Sequence, residues 1–310
     1  MNSPKRQTRT HLVSLFQQQG LHPRGDLGQN FLIDLNLLEL IVQEARLGPD
    51  DVVLEIGAGT GSLTAYLSAA AAVVSVEYDP NMYALAQQVV EGRDNVTLLN
   101  TDALKSKSQI APVVMDAIRK ELAVDPKRRL KLVANLPYHI GTPIIANLVA
   151  SDLPWELMVA TIQWELAERM WAKPRTSDDR ALSVVLQAQC QLKIIRKLGP
   201  SVFWPPPTVD SAIVKIEPNP EASSQIINRA AFQSFLRDLF TQRRKHLRGV
   251  IVNLFKSKLS KLQVETILKS MALTDEARAE ELSVEQLVEL SNRLQQSLAG
   301  ETLSEATQES

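Results

Sequence analysis

The chain has 310 residues, 45% of them hydrophobic, and a formal net charge of −1. This apolar content suffices for one large or two moderate domains, and the balanced charge excludes binding of polyanions through an overall field. The single cysteine, Cys190, excludes an intramolecular disulfide. No apolar run suits a signal peptide or a membrane span, and the histidines lack metal-ligand spacing. We therefore expect a cytoplasmic protein with no membrane segment and no metal site.

Apolar periodicity from residue 37 onward alternates between helical and extended segments. The predicted helices span residues 37–45, 62–70 (opening on a serine cap), 80–90, 110–122, 142–150 and 181–191. The predicted strands span residues 52–56, 73–77, 96–99, 130–134, 157–162, 192–197 and 212–216. The repeated β-α-β units predict an α/β fold with a doubly wound, Rossmann-like and mainly parallel sheet, and the last two strands predict an antiparallel addition at its edge.

The C-terminal third has a different pattern. Residues 218–224 are rich in proline, asparagine and serine and predict a linker, and residues 229–298 are almost wholly helical in pattern. Within the helical part, the leucine stripe of residues 282, 287, 290 and 294 is typical of core packing. We therefore expect two domains, residues 1–220 with the sheet and residues 221–310 as a small all-α domain.

Charge is distributed unevenly in this second domain. Residues 237–261 contain eight lysines or arginines and one acid, whereas residues 275–310 contain nine acids and two arginines. Four of the basic residues recur at helical spacing: Arg243, Arg244, Lys245 and Arg248. Such a helix face is ordinarily only solvated, and the alternative is a local site for the phosphates of a nucleic acid.

A glycine-rich turn follows the first predicted strand, with glycines at 57, 59 and 61. This G-x-G-x-G spacing differs from the dinucleotide pattern G-x-G-x-x-G. Glu77 ends the next strand, where a carboxylate can bind ribose hydroxyls, and Asp102 near the end of the third can accept an adenine amine. Each feature alone is consistent with a tight turn or a solvated acid. Together, in order, they predict a nucleoside cofactor without pyrophosphate, which S-adenosylmethionine fits.

The tetrapeptide Asn135-Leu136-Pro137-Tyr138 follows the buried strand predicted at residues 130–134. Asparagine before proline is common in turns, so a purely structural interpretation is open. The alternative is a site for a planar substrate with an exocyclic amine. The Asn135 amide oxygen and the backbone carbonyl of Leu136 or Pro137 would accept the amine hydrogens, and Tyr138 would stack on the ring.

Six segments, in order between about residues 24 and 290, resemble the KsgA family of ribosomal small-subunit RNA adenine dimethyltransferases. They are residues 28–32 (GQNFL), 55–61 (EIGAGTG), 135–138 (NLPY), 203–214 (FWPPPTVDSAIV), 240–245 (FTQRRK) and 278–283 (RAEELS). The chain departs from the family pattern at Asp26, at residues 163–165 (QWE, where QKE is typical) and at residues 179–181 (DRA).

This resemblance implies S-adenosylmethionine-dependent N6,N6-dimethylation of two adjacent adenosines near the 3′ end of 16S ribosomal RNA in the small ribosomal subunit, by a monomer acting in ribosome biogenesis. The implied cofactor residues are Asn30, Leu32, Gly57, Gly59, Glu77, Asp102 and Asn135. The implied catalytic residues are Asn135, Leu136, Pro137, Tyr138 and Phe203, with Tyr138 and Phe203 sandwiching the base. The implied RNA-binding residues are Arg243, Arg244, Lys245 and Arg248, which assigns catalysis to residues 1–220 and RNA binding to 221–310.

Three alternatives share parts of these signals. A large-subunit (23S) adenine methylase of the macrolide-resistance type has the same fold and motif, and the basic helix with the proline segment favours the small-subunit enzyme. A non-catalytic ribosome-assembly factor would keep the fold, but the intact Glu77, Asp102 and Asn135 favour an enzyme. A DNA or protein amide methylase would use a similar Asn-Pro-Pro-Tyr motif, and the basic C-terminal segment argues against it.

Overall fold

The computed structural model describes residues 7–173 and 180–308. The chain divides into two compact units, one of Met1–Ala167 with Leu192–Pro218 and one of Glu168–Gln191 with Asn219–Ser310. This division differs from the expected one, because residues 168–191 group with the helical unit rather than with the sheet.

The strands are β1 (Phe31–Leu32), β2 (Asp51–Ile56), β3 (Ala72–Glu77), β4 (Val96–Asn100), β5 (Leu104–Ser106), β6 (Gln109–Ile110), β7 (Arg129–Asn135), β8 (Trp155–Gln163), β9 (Cys190–Leu198), β10 (Phe203–Trp204) and β11 (Ser211–Pro218). The helices are α1 (Arg9–Gln19), α2 (Leu35–Ala45), α3 (Ser62–Leu67), α4 (Pro80–Val90), α5 (Pro112–Leu122), α6 (Gly141–Ala150), α7 (Trp164–Met170), α8 (Arg180–Gln187), α9 (Pro220–Ser224), α10 (Arg229–Phe240), α11 (Leu247–Leu254), α12 (Lys261–Ser270) and α13 (Val284–Gln308). Each predicted helix and strand is present, with ends shifted by a few residues.

Seven strands form one sheet in the order β4-β3-β2-β7-β8-β11-β9. The pairs β2–β3, β3–β4, β2–β7 and β7–β8 are parallel, and β11 runs antiparallel to β8. The prediction of a doubly wound, mainly parallel sheet is therefore confirmed. The strand order reverses direction between β2 and β7, and ligands of open α/β sheets bind at the carboxyl ends of the strands beside such a switch point.

The central strands form here because their sequences are largely apolar on both faces. Every residue of β2 and β3 is buried, as are residues 130–134 of β7, which is the pattern of strands covered by helices on both sides. Val53, Val133 and Val159 from three strands pack in one core cluster with Leu38 and Ile41 of α2. This core holds the strand ends in a fixed register.

Several local predictions are wrong. Gly61, in a left-handed conformation, precedes α3, so Ser62 is the first helical residue and not the cap. The helix predicted from residue 110 begins at Pro112, after the hairpin of β5 and β6. The predicted linker at 218–224 contains helix α9, which Asn219 caps by accepting the N–H of Ala222. Helix α1, capped by Thr8, was not predicted at all.

The second unit contains helices α8 to α13 and the predicted helical part of the chain. Its leucine stripe is buried as expected, since residues 282, 287, 290 and 294 are at most 2% exposed. The basic segment is not the predicted helix, because α10 ends at Phe240 and residues 241–245 form a turn before α11. Across the described part of the chain, no helix is both long and apolar enough to cross a membrane.

Candidate active site

A cavity of about 310 Å³ opens at the carboxyl ends of β2, β3 and β7. Its wall combines the 27–31 loop, the glycine turn, the ends of β3 and β4, and the 135–140 segment. Of the predicted site residues, it brings together Asn30, Gly57, Gly59, Glu77, Asp102, Asn135, Leu136, Pro137 and Tyr138. Residues separated by more than 100 positions in sequence therefore share one site of the size that small-molecule ligands require.

The glycine turn forms a surface that a side chain would fill. Gly57 and Gly59 have φ values of +83° and +56°, in the left-handed region that favours glycine. A Cβ at Gly57 would lie 3.0 Å from Cδ of Pro137, and one at Gly59 would lie 3.1 Å from Cε1 of Phe31. The backbone can therefore approach a ligand closely only because these two positions lack side chains.

Glu77 closes this turn from β3. It is 7% exposed, and its two carboxylate oxygens accept the N–H groups of Gly59 and Asp79, each at 2.8 Å. Burial raises the pKa of the Glu77 carboxyl, while these backbone hydrogen bonds act in the opposite direction. Each oxygen keeps a second lone pair, which allows it to accept a hydroxyl from a vicinal diol.

Asn135 is held by the N-terminal signature. Its Nδ2 donates to the backbone carbonyl of Asn30 at 3.0 Å, and Nδ2 of Asn30 donates to the carbonyl of Gly28 at 3.2 Å. Because Nδ2 of Asn135 is engaged by a carbonyl, the hydrogen-bond network leaves Oδ1 as the atom that can accept a hydrogen from a ligand. The site can therefore hold the hydrogen of an exocyclic amine.

Two further contacts fix the loop that carries Asn30. Gln29 donates from Nε2 to Asp79 at 2.9 Å and accepts the N–H of Arg24 at 2.8 Å. Asp79 also caps α4 by accepting the N–H of Asn81. Sequence reasoning missed Gln29 and Asp79 as positioning residues. A usable signal was present, since Asp before Pro80 is a typical helix start.

Just after the end of β4, Asp102 lines the cavity together with a residue that sequence reasoning missed. Asp102 accepts the N–H of Leu104 at 2.8 Å through Oδ1, which fixes the carboxylate in the cavity wall. Tyr78, directly after Glu77, also lines the cavity and is 59% exposed. An exposed aromatic ring beside the Glu77 carboxylate can stack on a base.

Tyr138 lies in the cavity wall with its hydroxyl 2.7 Å from Oγ of Ser211. Burial raises the pKa of the Tyr138 phenol, so the side chain stays neutral and is anchored at its hydroxyl end. Phe203 does not meet it across the cavity, because its side chain is only 2% exposed and packs in the core cluster. Leu32, opposite Phe203 in the β1–β10 pair, is likewise buried at 5% and does not line the cavity.

The predicted RNA-binding residues lie in the second unit. Arg244 and Lys245 are exposed in the turn after α10, and Nζ of Lys245 donates to Gln242 at 3.1 Å. Arg248 is in α11 and forms an ion pair with Glu265 of α12. Hydrogen bonding to Arg248 lowers the pKa of the Glu265 carboxyl, so this pair is charged at neutral pH. Arg243 is half-buried in the same turn.

The family model described as Ribosomal RNA adenine dimethylase matches residues 20–296 of the chain. The chain belongs to this family. Ribosomal RNA small subunit methyltransferase A of Lactiplantibacillus plantarum is 36% identical over 285 residues, 91% of this chain and 94% of that protein. The protein of the same name from Moorella thermoacetica is 35% identical over 287 residues, 91% of this chain and 96% of that one.

Solved structures show the same relationship. A dimethyladenosine transferase from Plasmodium falciparum has a TM-score of 0.68 at 25% identity, covering 86% of this chain and 98% of that chain. The 23S rRNA methyltransferase ErmE has a TM-score of 0.59 at 25% identity, covering 86% and 100%. The protein is therefore a ribosomal RNA adenine dimethyltransferase that uses S-adenosylmethionine, as its sequence predicts.

The cavity of this dimethylase fits S-adenosylmethionine. The ribose diol suits Glu77, and the adenine amine suits Asp102. The absence of side chains at Gly57 and Gly59 leaves room against the backbone. When bound, the cofactor supplies an electrophilic methyl group on a sulfonium.

The departures of this dimethylase from the family pattern lie in three places. Asp26 forms an exposed ion pair with Arg24 at 2.6 Å, which neutralises a basic residue before the N-terminal signature. Trp164 follows β8 directly. Asp179 lies outside the described residues, and Arg180 begins α8.

Proposed function

We propose that this dimethylase transfers methyl groups to N6 of two adjacent adenosines near the 3′ end of 16S ribosomal RNA in the small ribosomal subunit, as a step in ribosome biogenesis. The relatives named above support the small subunit, because both are named for it. We also propose that it acts on this substrate in the cytoplasm and as a monomer.

The observation that carries the proposal is the convergence of Glu77, Asp102 and Asn135 on one cavity. The two carboxylates provide acceptors for a nucleoside, and the oriented amide of Asn135 provides an acceptor for an amine. Both sets of hydrogen-bond acceptors are needed in one cavity only if a methyl donor that contains a nucleoside meets a substrate that carries an amine there.

The amine of adenine is a poor nucleophile because its lone pair is delocalised into the ring. We assign Oδ1 of Asn135 to accept one amine hydrogen and a backbone carbonyl to accept the other. The carbonyl of Pro137 already accepts the N–H of Ile140 at 3.1 Å, which favours that of Leu136. Held in this way, the nitrogen becomes tetrahedral and its lone pair can point at the methyl group. Positioning then supplies most of the rate enhancement.

The target base is stacked by Tyr138 in this proposal, and an extruded nucleotide is the general requirement for chemistry on a base. The hydrogen bond between the hydroxyls of Tyr138 and Ser211 fixes the ring without using its faces. Phe203 reaches a base only if its buried ring leaves the core cluster, so Tyr138 alone carries the stacking proposal.

We propose that residues 1–220 carry the chemistry and residues 221–310 contact RNA. Arg244 and Lys245, both exposed in the turn after α10, support phosphate binding there. Arg243 and Arg248 are the other proposed contacts, although Arg248 is engaged by Glu265.

The second candidate, a 23S adenine methylase like ErmE, is not favoured, because both relatives named above are named for the small subunit and are 35–36% identical, against 25% for ErmE. The test measures transfer of labelled methyl groups to unmethylated 30S subunits, 50S precursors and DNA side by side. We expect two labelled adenosines, each dimethylated, in 16S RNA of the 30S subunit only. Transfer to 50S precursors alone would favour the second candidate, and transfer to neither subunit would overturn the proposal.

A further inference from the structure

An N-terminal arm, residues 7–19, lies against the glycine turn. The side-chain amide of Gln7 forms two hydrogen bonds with one residue of the turn: Nε2 donates to the backbone carbonyl of Thr60 at 3.0 Å, and Oγ1 of Thr60 donates to Oε1 of Gln7. Gln7 is 4% exposed and Thr60 is 3% exposed, and neither residue lines the cavity. These hydrogen bonds are therefore buried, and removal of the Gln7 side chain leaves two polar groups of Thr60 without that partner.

The other end of the arm reaches the same turn through Phe31. Phe16 of α1 is buried, and its ring meets those of Phe31 and Trp204 edge-on, with centroid distances of 5.4 and 5.1 Å. Phe31 lines the cavity, and its Cε1 is the atom 3.1 Å from the position of a Cβ at Gly59. Hydrogen bonds at one end of the arm and aromatic contacts at the other therefore converge on neighbouring residues of the turn.

The glycine turn needs support because its own backbone is weakly constrained. Thr60 stands between Gly59 and Gly61, whose φ values of +56° and +76° lie in a region that glycine enters as readily as any other. Glycine also loses more conformational freedom on folding than other residues, so a turn of this composition is costly to hold in one conformation. Thr60 supplies the side chain by which the turn can be held, and Gln7 holds it.

We infer that Gln7 is a positioning residue for S-adenosylmethionine. It holds the glycine turn in the conformation that receives the cofactor and does not touch the cofactor itself. Because the turn is ordered in advance, less of the binding free energy is lost in ordering it. The inference goes beyond the proposed function, since it concerns cofactor binding and not the RNA substrate, but it rests on the assignment of the glycine turn to the cofactor.

An arm with a purely structural role would affect the free energy of unfolding and leave the affinity for the cofactor unaltered. The placement of the contacts favours the positioning role. Both hydrogen bonds of the Gln7 side chain go to the turn, whereas Gln18 of α1 is exposed and donates to Ser14 of its own helix. Gln18 therefore serves as the matched control in the same arm.

The first test is calorimetric titration with S-adenosylmethionine, which needs neither RNA nor methyl transfer. We expect Gln7→Ala to raise Kd about tenfold, the size expected for loss of buried hydrogen bonds, and Gln18→Ala to keep the wild-type Kd. In methyl-transfer assays, KM for the cofactor should rise with kcat unchanged, because the turn acts on the ground state and the transition state alike. An unchanged Kd in a folded Gln7→Ala variant would overturn the inference.

A double-mutant cycle tests whether the effect passes through Thr60. Thr60→Val removes the hydroxyl and should weaken cofactor binding, and Thr60→Ser keeps the hydroxyl and should bind nearly as the wild type does. Gln7→Ala combined with Thr60→Val should change the binding free energy by less than the sum of the separate changes. Additive changes would contradict a connection between the two side chains.

Amide hydrogen exchange without cofactor measures the turn directly. Residues 59–61 should exchange faster in Gln7→Ala than in the wild type or in Gln18→Ala, while the amides of β2 exchange equally in all three. Equal exchange at the turn would count against the inference. If Gln7→Ala failed to fold, Gln7→Glu would give the same comparison, because it keeps the acceptor for the Thr60 hydroxyl and loses the donor to the Thr60 carbonyl.

These outcomes are distinct from failure of the proposed function. If the wild type bound S-adenosylmethionine but methylated no ribosomal RNA, the proposed substrate would fall, and calorimetry would still decide the role of Gln7. If the wild type bound no S-adenosylmethionine, the inference would fall together with the assignment of the glycine turn to the cofactor.

Discussion

The side-chain amide of Asn135 donates a hydrogen bond of 3.0 Å to the backbone carbonyl of Asn30, 105 positions earlier in the chain. This bond joins the N-terminal signature to the proposed catalytic motif and orients the amide from outside its own strand. Because Gln29 ties the same loop to Asp79, the position of Asn135 depends on the cofactor side of the cavity. The two halves of the site are therefore built as one hydrogen-bonded unit.

Replacement of Asn135 by alanine removes the acceptor proposed for the amine. We expect kcat to fall about 10²- to 10³-fold, the range for loss of one oriented polar group that acts on the transition state. Affinity for S-adenosylmethionine, measured by calorimetry, should change much less. Asn147→Ala is the control, because Asn147 lies on α6 and bonds only backbone carbonyls, of Lys107 and Pro143. Full activity of Asn135→Ala would refute the assignment.

The pair of substitutions Gly57→Ala and Gly92→Ala separates the effect of backbone strain on stability from the effect of a crowded Cβ on activity. Both glycines have positive φ, +83° and +75°, so each substitution should lower the free energy of unfolding by about 1–2 kcal/mol. Only Gly57 has a neighbour, Pro137, at 3.0 Å from the added Cβ, whereas Gly92 has none within 4 Å. Displacement of Pro137 should lower kcat/KM about 100-fold in Gly57→Ala alone. Chemical denaturation and methyl-transfer assays on both variants check this, and equal activities would contradict it.

Glu55 makes stability depend on pH. It is 1% exposed in β2, its Oε2 accepts the hydroxyls of Thr64 and Ser75, and burial raises its pKa to about 7. The folded state therefore holds this proton between about pH 4.5 and 7 while the unfolded state has released it. The corresponding stability is fully present below pH 4.5 and is lost as the pH rises through 7, by about 3 kcal/mol in total.

The Glu55→Gln variant tests whether Glu55 causes the free energy of unfolding to fall as the pH rises. It keeps the side chain neutral at every pH, so its free energy of unfolding should fall less between pH 4.5 and 7 than that of the wild type. The fall that remains is due to Glu77, whose pKa burial also raises. Glu39→Gln, which removes an exposed carboxylate from α2, should retain the fall. Denaturant titrations at pH 4.5, 6 and 8 are sufficient, and parallel curves for Glu55→Gln and the wild type would show that the carboxylate is not the cause.

Arg244 and Lys245, in the turn after α10, should contribute to RNA affinity only through their positive charge. We expect Arg244→Gln with Lys245→Gln to weaken binding uniformly across RNA sequences and to reduce the salt slope by about two. Arg248→Gln should also lower the free energy of unfolding, because it removes one of the two ion pairs of Glu265 and leaves only that with Lys261 at 3.9 Å. Filter binding between 50 and 200 mM salt measures the salt slope, and denaturant titration measures the free energy of unfolding. A salt slope unchanged in the double variant would exclude phosphate contacts at the turn.

Local sequence determined the fold class and identified nine of the residues that line the cavity. The largely apolar runs at residues 52–56 and 130–134 favour buried strands, and the topology of β-α-β units then brings their carboxyl ends together. Glu77 and Asn135 end the parallel strands β3 and β7, so the same topology places both residues at the carboxyl edge of the sheet. The signature segments alone were enough to predict the family to which the chain belongs.

Tertiary structure decided what no local pattern encodes. The proline-rich motif that begins at Phe203 implies that this ring is exposed to the substrate. In the structure, the pairing of β10 with β1 places Phe203 opposite Leu32 and its side chain is buried. The basic segment has helical spacing, but α10 ends at Phe240 and leaves Arg244 in a turn. The bond between Asn135 and Asn30, and those between Gln7 and Thr60, join residues that are distant in sequence. Such contacts depend on the packing of the folded chain, which periodicity and propensity do not specify.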